Sequence, residues 1–166
     1  MKSSRPVFVV HRHKSTHLHY DFRMDINGVL KSWAIPKGPS MNPADKRLAV
    51  MVEDHPLDYA KFQGIIPEGN YGAGIVEIWD HGTWKPDKEI ESPLRSLGNG
   101  SLNFSLNGKK LKGKFVLIKL QHSSTKNAWL FIKRHDRYAI LNDYDSEMLT
   151  PHNSPINSAI KKIAVK

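Results

Sequence analysis

The sequence predicts an all-β fold, a closed antiparallel β-barrel of about eight strands with one short helix. Three observations carry that reading. Apolar residues recur in short, partly alternating runs bounded by turn residues. Two Asn-Gly pairs, Asn27-Gly28 and Asn107-Gly108, sit between such runs where hairpins need them. No heptad pattern or internal repeat competes with a barrel or sandwich of short strands.

The first strands are Val7 to His11 and Leu18 to Asp25, and Asn27-Gly28 leads into a third, Val29 to Ile35. In the second strand Leu18, Tyr20, Phe22 and Met24 share one face and read as core. Pro36, Gly38, Pro39 and Pro43 make a rigid loop before the apolar run Leu48 to Val52, which ends at Glu53-Asp54-His55-Pro56. Ile75 to Trp79 alternates in part, and Gly82 turns the chain toward Trp84. Ser92 followed by Pro93 supplies an N-cap and a first helical residue for a short helix that Gly98 stops. Leu102, Phe104 and Leu106 alternate, Asn107-Gly108 turns, Phe115 to Leu120 returns, and Trp129 to Lys133 is a further strand. The tryptophans lie within or beside these runs and read as core. From about Asp143 the chain becomes polar, and Pro151 and Pro155 interrupt it. Residues 1–142 are therefore expected to form the barrel. Residues 143–166 are expected to be a polar tail, docked or loose, whose Ile160 to Val165 could be helix or strand.

With 166 residues and 39% hydrophobic content, the chain suits one globular domain. It has no cysteine, which excludes disulfides, thiolate metal sites and a cysteine nucleophile, and fits a reducing cytoplasm. Val7 to Val10 is the only apolar run near the start, too short for a signal or a membrane span. The formal charge is +9, with 25 Lys+Arg against 16 Asp+Glu. That balance points to a polyanionic partner, nucleic acid first, against the plainer reading of charge that only solubilises.

Four of the nine histidines fall between His11 and His19. On an extended second strand His19, Asp21 and Arg23 leave one face together. Imidazole with carboxylate suits a divalent transition metal, and a fixed arginine beside them suits phosphate. His19 and Asp21 are the candidate ligands. His13 becomes a third if Lys14-Ser15-Thr16 bends it back over the strand, although His11 and His17 share its parity. Arg47, Glu53 and His55 also share parity, and Pro56 places His55 at a strand end. Tyr59 reads as core or as a hydroxyl in the site. The stretch Pro67-Glu68-Gly69-Asn70-Tyr71-Gly72-Ala73-Gly74 lacks the Lys-Ser/Thr of a phosphate loop and leads into a strand, so it reads as a tight turn or bulge.

Several stretches resemble the phosphoesterase module of bacterial DNA ligase D. They are Phe8 to His13, Leu18-His19-Tyr20-Asp21-Phe22-Arg23, Gly28 to Pro39, Glu53-Asp54-His55-Pro56-Leu57-Asp58-Tyr59, Ile66 to Gly74, Leu111 to Leu117 and Trp129 to Lys133. The resemblance implies an eight-stranded barrel that trims 3′ ends of DNA, or of RNA/DNA primer-templates, before end joining. It implies Mn2+ or a similar divalent ion held by His13, His19 and Asp21. It implies a 3′-terminal ribonucleoside removed to leave a 3′-phosphate, which is then removed to leave a 3′-hydroxyl. Arg23 and His55 would contact the reacting phosphate with Tyr59 nearby, Glu53 would support the site, and Lys37 and Arg47 would serve the monoester step. A monoester carries nearly two negative charges against one for a diester, so extra cations help it more.

Two departures stand out. His11 occupies a position where the family usually has glutamine, placing a fourth imidazole near the site. The chain also begins almost at the first motif, so it is expected to lack most of the N-terminal arm that longer members place before the barrel. A monomeric, stand-alone member is expected, working with a separately encoded DNA ligase and polymerase. Two other classes compete: a non-catalytic DNA-end-binding module that recruits a ligase, and a cupin-like dioxygenase, which explains neither Arg23 with Arg47 nor the net charge.

Overall fold

The computed structural model describes residues 5–165. Its strands are β1 (Val7–Lys14), β2 (Leu18–Ile26), β3 (Val29–Ile35), β4 (Arg47–Pro56), β5 (Gly64–Ile66), β6 (Gly74–Pro86), β7 (Ser101–Gly108), β8 (Lys112–Lys119) and β9 (Ala128–Lys133). They pair in the order β1-β2-β3-β4-β9-β8-β7-β6, and β6 returns to pair with β1. Eight antiparallel strands thus close into a barrel, which leaves them no free edge. The short β5 adds to the start of β6.

The expected hairpin at Asn27-Gly28 forms with φ of 55° and 88°, the paired positive values that a type I′ turn requires. At Asn107-Gly108 the reason is different. The buried Asp80 carboxylate accepts the N–H groups of Lys109, Lys110 and Leu111 at 2.9, 3.2 and 2.8 Å, so a side chain from β6 shapes that turn. Helix α1 (Pro93–Gly98) begins where Ser92 and Pro93 place it, and the Ser92 hydroxyl accepts the Arg95 N–H.

The even face of β2 fills the barrel as alternation requires. Tyr20, Phe22 and Met24 join Phe8, Val10, Trp33, Phe104, Phe115 and Phe131 in one buried cluster. Two bulges break strand parity. One lies in β6 opposite Val10 and His11, and one in β4 opposite Leu30 and Ser32. Because of the second, His55 joins the outward face of Val52, whereas Arg47 shares the inward face of Ala49 and Met51. Reading Arg47 and His55 on one face by parity is therefore corrected: the extra residue in β4 separates them.

The tail is docked on the barrel. Ser146 Oγ donates to the Pro39 carbonyl at 2.6 Å, Trp79 Nε1 donates to the Ser146 carbonyl at 3.2 Å, and Ile156 is fully buried. A second helix, α2 (Pro155–Val165), starts five residues earlier than Ile160. Pro155 opens this helix instead of breaking it, because a first-turn proline loses no helical hydrogen bond, and the Ser154 hydroxyl accepts the Asn157 N–H. No helix among the described residues is long and apolar enough to cross a membrane.

Candidate active site

The site is built on the β1–β2 hairpin. In its register His13 lies opposite His19 and His11 opposite Asp21. His13 therefore reaches the site directly across the ladder, and the bend through 14–16 expected from the sequence is unnecessary. One ligand atom each from His13, His19 and Asp21 lies within 4.8 Å of the others. His19 Nε2 is 3.2 Å and His13 Nδ1 is 3.6 Å from Asp21 Oδ2.

The remote nitrogens of both imidazoles are committed. His13 Nε2 donates to the Gly72 carbonyl at 2.8 Å, and His19 Nδ1 donates to the His17 carbonyl at 3.2 Å. In the neutral rings, the nitrogens facing Asp21 then carry lone pairs. Two imidazole lone pairs and a carboxylate converging on one point repel one another unless a cation or proton lies between them. This donor set fits a divalent transition ion. Burial works against ionised Asp21, but the Arg23 charge, and hydrogen bonds with the histidines when a proton and not a cation lies between them, hold its pKa well below the ordinary 3.8. Burial also opposes charge on His19, yet Asp21 outweighs it and raises that pKa above 6.5.

Arg23 is the hub of the phosphate side. Its guanidinium donates through Nη2 to Asp21 at 3.3 Å, through Nε to His11 Nδ1 at 3.1 Å and through Nη1 to His55 Nδ1 at 3.0 Å. Three of the five N–H groups of an arginine are thereby used, leaving one on each terminal nitrogen for a ligand. Since a guanidinium only donates, His55 Nδ1 must be the bare nitrogen and Nε2 carries the proton. The Glu53 carbonyl, 3.1 Å from the same Nδ1, is then a packing neighbour. Burial and the Arg23 charge depress the His55 pKa, so the ring is neutral at pH 7. The Tyr59 ring packs beside His55 and under the Arg23 guanidinium, which lies 5.1 Å from the ring centre, and burial raises the pKa of its hydroxyl.

His11 does not join the metal donors. Its Nε2 donates to the Phe62 carbonyl at 3.1 Å while Nδ1 accepts from Arg23. Burial and then Arg23 lower its pKa from 6.5 to about 3, so it is a neutral donor–acceptor that holds the guanidinium. A glutamine amide offers the same pair of functions. His11→Gln is expected to keep activity within about threefold and leave the pH profile above pH 5 unchanged. His11→Leu, which strands the Arg23 Nε–H, is expected to lose about 10-fold. Steady-state rates across pH check both.

The 57–74 segment covers this outward face and encloses a cavity of about 460 Å³ lined by the three donors, Arg23, His55 and Tyr59. It begins with a 3₁₀ turn, Leu57–Lys61, that carries Tyr59. Tyr71 and Gly72 line the cavity from the glycine-rich loop, where the sequence signalled only a turn. A Cβ at Gly74 would lie 2.0 Å from the Lys14 carbonyl oxygen, so only glycine lets the loop lie this close to β1. Glu53 is exposed at the rim, where burial and then the Glu53 charge raise the pKa of the Tyr71 hydroxyl. Lys37 and Arg47 line a separate cavity of about 350 Å³ with Leu18 and Tyr20, on the other side of β2.

A family model for the DNA ligase D 3′-phosphoesterase domain matches residues 11–119. The chain is 50% identical over 129 residues to a multifunctional non-homologous end joining protein LigD of Pseudomonas aeruginosa, covering 78% of this chain and 15% of that protein. A LigD of Mycobacterium tuberculosis is 44% identical over 112 residues, covering 68% of this chain and 14% of that protein. One of Mycolicibacterium smegmatis is 40% identical over 135 residues, covering 78% and 17%. The chain thus spans about one sixth of the length of these curated relatives. The family match contains every side chain of the pocket described above, and on that breadth the chain belongs to the DNA ligase D 3′-phosphoesterase domain family.

Proposed function

We propose that this protein is a metal-dependent phosphoesterase that processes 3′ ends of DNA for end joining, with His13, His19 and Asp21 holding Mn2+ or a similar divalent ion. The convergence of two bare imidazole nitrogens and a carboxylate beside a guanidinium with two free N–H groups carries this reading. The bound ion would supply Lewis-acid polarisation of a phosphoryl oxygen and acidify a water. Arg23, held by three partners, would present its remaining N–H groups to phosphoryl oxygens without reorganising, where charge develops. Neutral His55 would offer its Nε2–H to the reacting phosphate or the departing oxygen. Tyr59 keeps its hydroxyl proton and closes one wall against water.

In the first reaction water adds to phosphorus and the bond to the terminal ribonucleoside's 5′ oxygen breaks, leaving a 3′-phosphate. In the second, water displaces the 3′ oxygen, releasing phosphate and a ligatable 3′-hydroxyl. Lys37 and Arg47 line the cavity on the other side of β2 from the metal donors, so their charges would favour the dianion at a distance and not by contact. Lys37→Ala and Arg47→Ala are expected to slow the monoester step about 10-fold more than the diester step. Equal losses in the two steps would contradict this role.

The test is a primer-template ending in a single ribonucleotide, with and without Mn2+. The expected products are a 3′-phosphate and then a 3′-hydroxyl, both requiring metal. No metal-dependent change at either end would overturn the proposal.

A further inference from the structure

The metal cavity is poor in free cations. Among the described residues Arg23 is its only lining Lys or Arg, and it is engaged by Asp21, His11 and His55. A strand of several phosphates needs more positive charge than this, and the chain carries +9. Elsewhere, a cavity of about 480 Å³ is lined by Arg5, Lys85, Lys112, Lys114 and Arg137. Lys85 and Lys114 alternate with the core residues Trp84 and Phe115, so this groove lies on the barrel's outer wall, across β6, β7 and β8.

The charge there is uncompensated. None of the five cations forms a salt bridge among the described residues. The one acidic side chain lining the groove among the described residues, Asp136, is committed to Lys133 Nζ at 2.6 Å and to the N–H groups of Lys114 and Tyr138 at 2.8 and 2.9 Å. Five like charges around one cavity repel each other, and a polyanion relieves that repulsion while releasing its own counterions. Ser105 and Asn107 add neutral polar groups of the kind that position phosphates. The half-exposed Tyr138, with the Arg137 guanidinium 4.8 Å from its ring centre, offers an aromatic face beside them.

Strand β1 links the two cavities. His13 lies at one end, and Val7, paired with Thr83 of the groove wall, lies near the other. We propose that this groove holds the phosphodiester backbone of the DNA away from the terminus, a placement that rests on the end-processing reading above. The metal cavity would then act on a terminus whose stem is held elsewhere.

Binding without turnover separates this proposal from that reading. Fluorescence anisotropy of metal-free protein with labelled duplexes of 4, 8 and 16 base pairs, all ending in 3′-hydroxyls, measures the grip alone. For the wild type, affinity should rise with length from 4 to 16 base pairs as the duplex comes to fill the groove. Combined Lys85→Gln, Lys112→Gln and Lys114→Gln should weaken 16-base-pair binding more than 10-fold at 0.1 M salt. It should also flatten the slope of log K against log salt by about 0.9 for each phosphate that the groove no longer neutralises. Lys88→Gln, Lys119→Gln and Lys126→Gln, which remove the same charge at exposed positions outside the groove, should weaken it less than threefold. Equal losses in the two triple variants, or a wild type that binds 4 and 16 base pairs alike, would overturn the groove. Either result leaves the end-trimming assay to judge the chemistry by itself.

Discussion

Asp21→Asn is expected to abolish metal-dependent end trimming, with a loss of at least about 10³-fold, because Asp21 is the only anionic donor of the set. The amide oxygen can still accept from Arg23, but it brings no charge to balance a dication. It also leaves the Arg23 guanidinium, 4% exposed, without its counter-charge. That costs about 3 kcal/mol, or about 10 °C in melting temperature for a chain of this size. The fold survives at 25 °C, so activity and stability can be read separately by rate assays and thermal melts. The pH dependence has a definite sign. The Asp21 pKa is held well below 3.8, so its stabilisation is present above about pH 4 and is lost as pH falls toward the depressed value. The variant should accordingly show a flatter acid side in its stability curve. Trimming at the wild-type rate would favour the non-catalytic DNA-end-binding reading.

Arg12→Met is expected to destabilise the protein by about 3–5 kcal/mol and lower the melting point by about 10 °C or more. Arg12 is fully buried and points into the barrel end, where its Nη1 lies 3.0 Å from Glu77. Its Nε and Nη2 lie 2.9 and 2.6 Å from the two oxygens of Glu147, a bidentate pair. The substitution strands Glu77, whose side chain is only 4% exposed. The effect should reach the active site. Arg12 sits between His11 and His13 on β1, Tyr20 sits between His19 and Asp21 on β2, and Glu147 accepts from both Arg12 and Tyr20. The tail thereby pins, from inside the barrel, the two strands that carry the metal donors outside it. Mn2+ affinity should fall about 10-fold, the scale expected when the support behind a metal site is removed. Pairing Arg12→Met with Glu77→Leu should recover much of the stability, because the stranded charge is then gone. An unchanged melting curve for Arg12→Met would contradict the clasp.

Much of the fold was legible because its signals are local. Period-two alternation in β2 separates Tyr20, Phe22 and Met24 from His19, Asp21 and Arg23, and the sheet realises that split. Ser92-Pro93 encodes a helix start within two residues, and Asn27-Gly28 encodes a hairpin. What was not legible depends on atoms or residues without a local signature. The bulge in β4 inserts one residue and reverses parity beyond Val52, which moves Arg47 away from His55. The carbonyls of Gly72 and Phe62 orient His13 and His11, and backbone oxygens carry no side-chain identity. The Arg12–Glu147 pair joins positions 135 residues apart, so the tail's docking showed only as an unexplained polar stretch. These features share a cause: they are tertiary, and neither propensity nor period encodes them.

The most direct measurement is pulsed electron paramagnetic resonance of Mn2+ bound to the intact protein. Nitrogen couplings from two imidazoles should appear in the wild type. One should vanish in His13→Ala and one in His19→Ala, and both should remain in His11→Gln. A wild-type spectrum without nitrogen couplings, or one that neither alanine substitution changes, would mean that these side chains do not hold the ion.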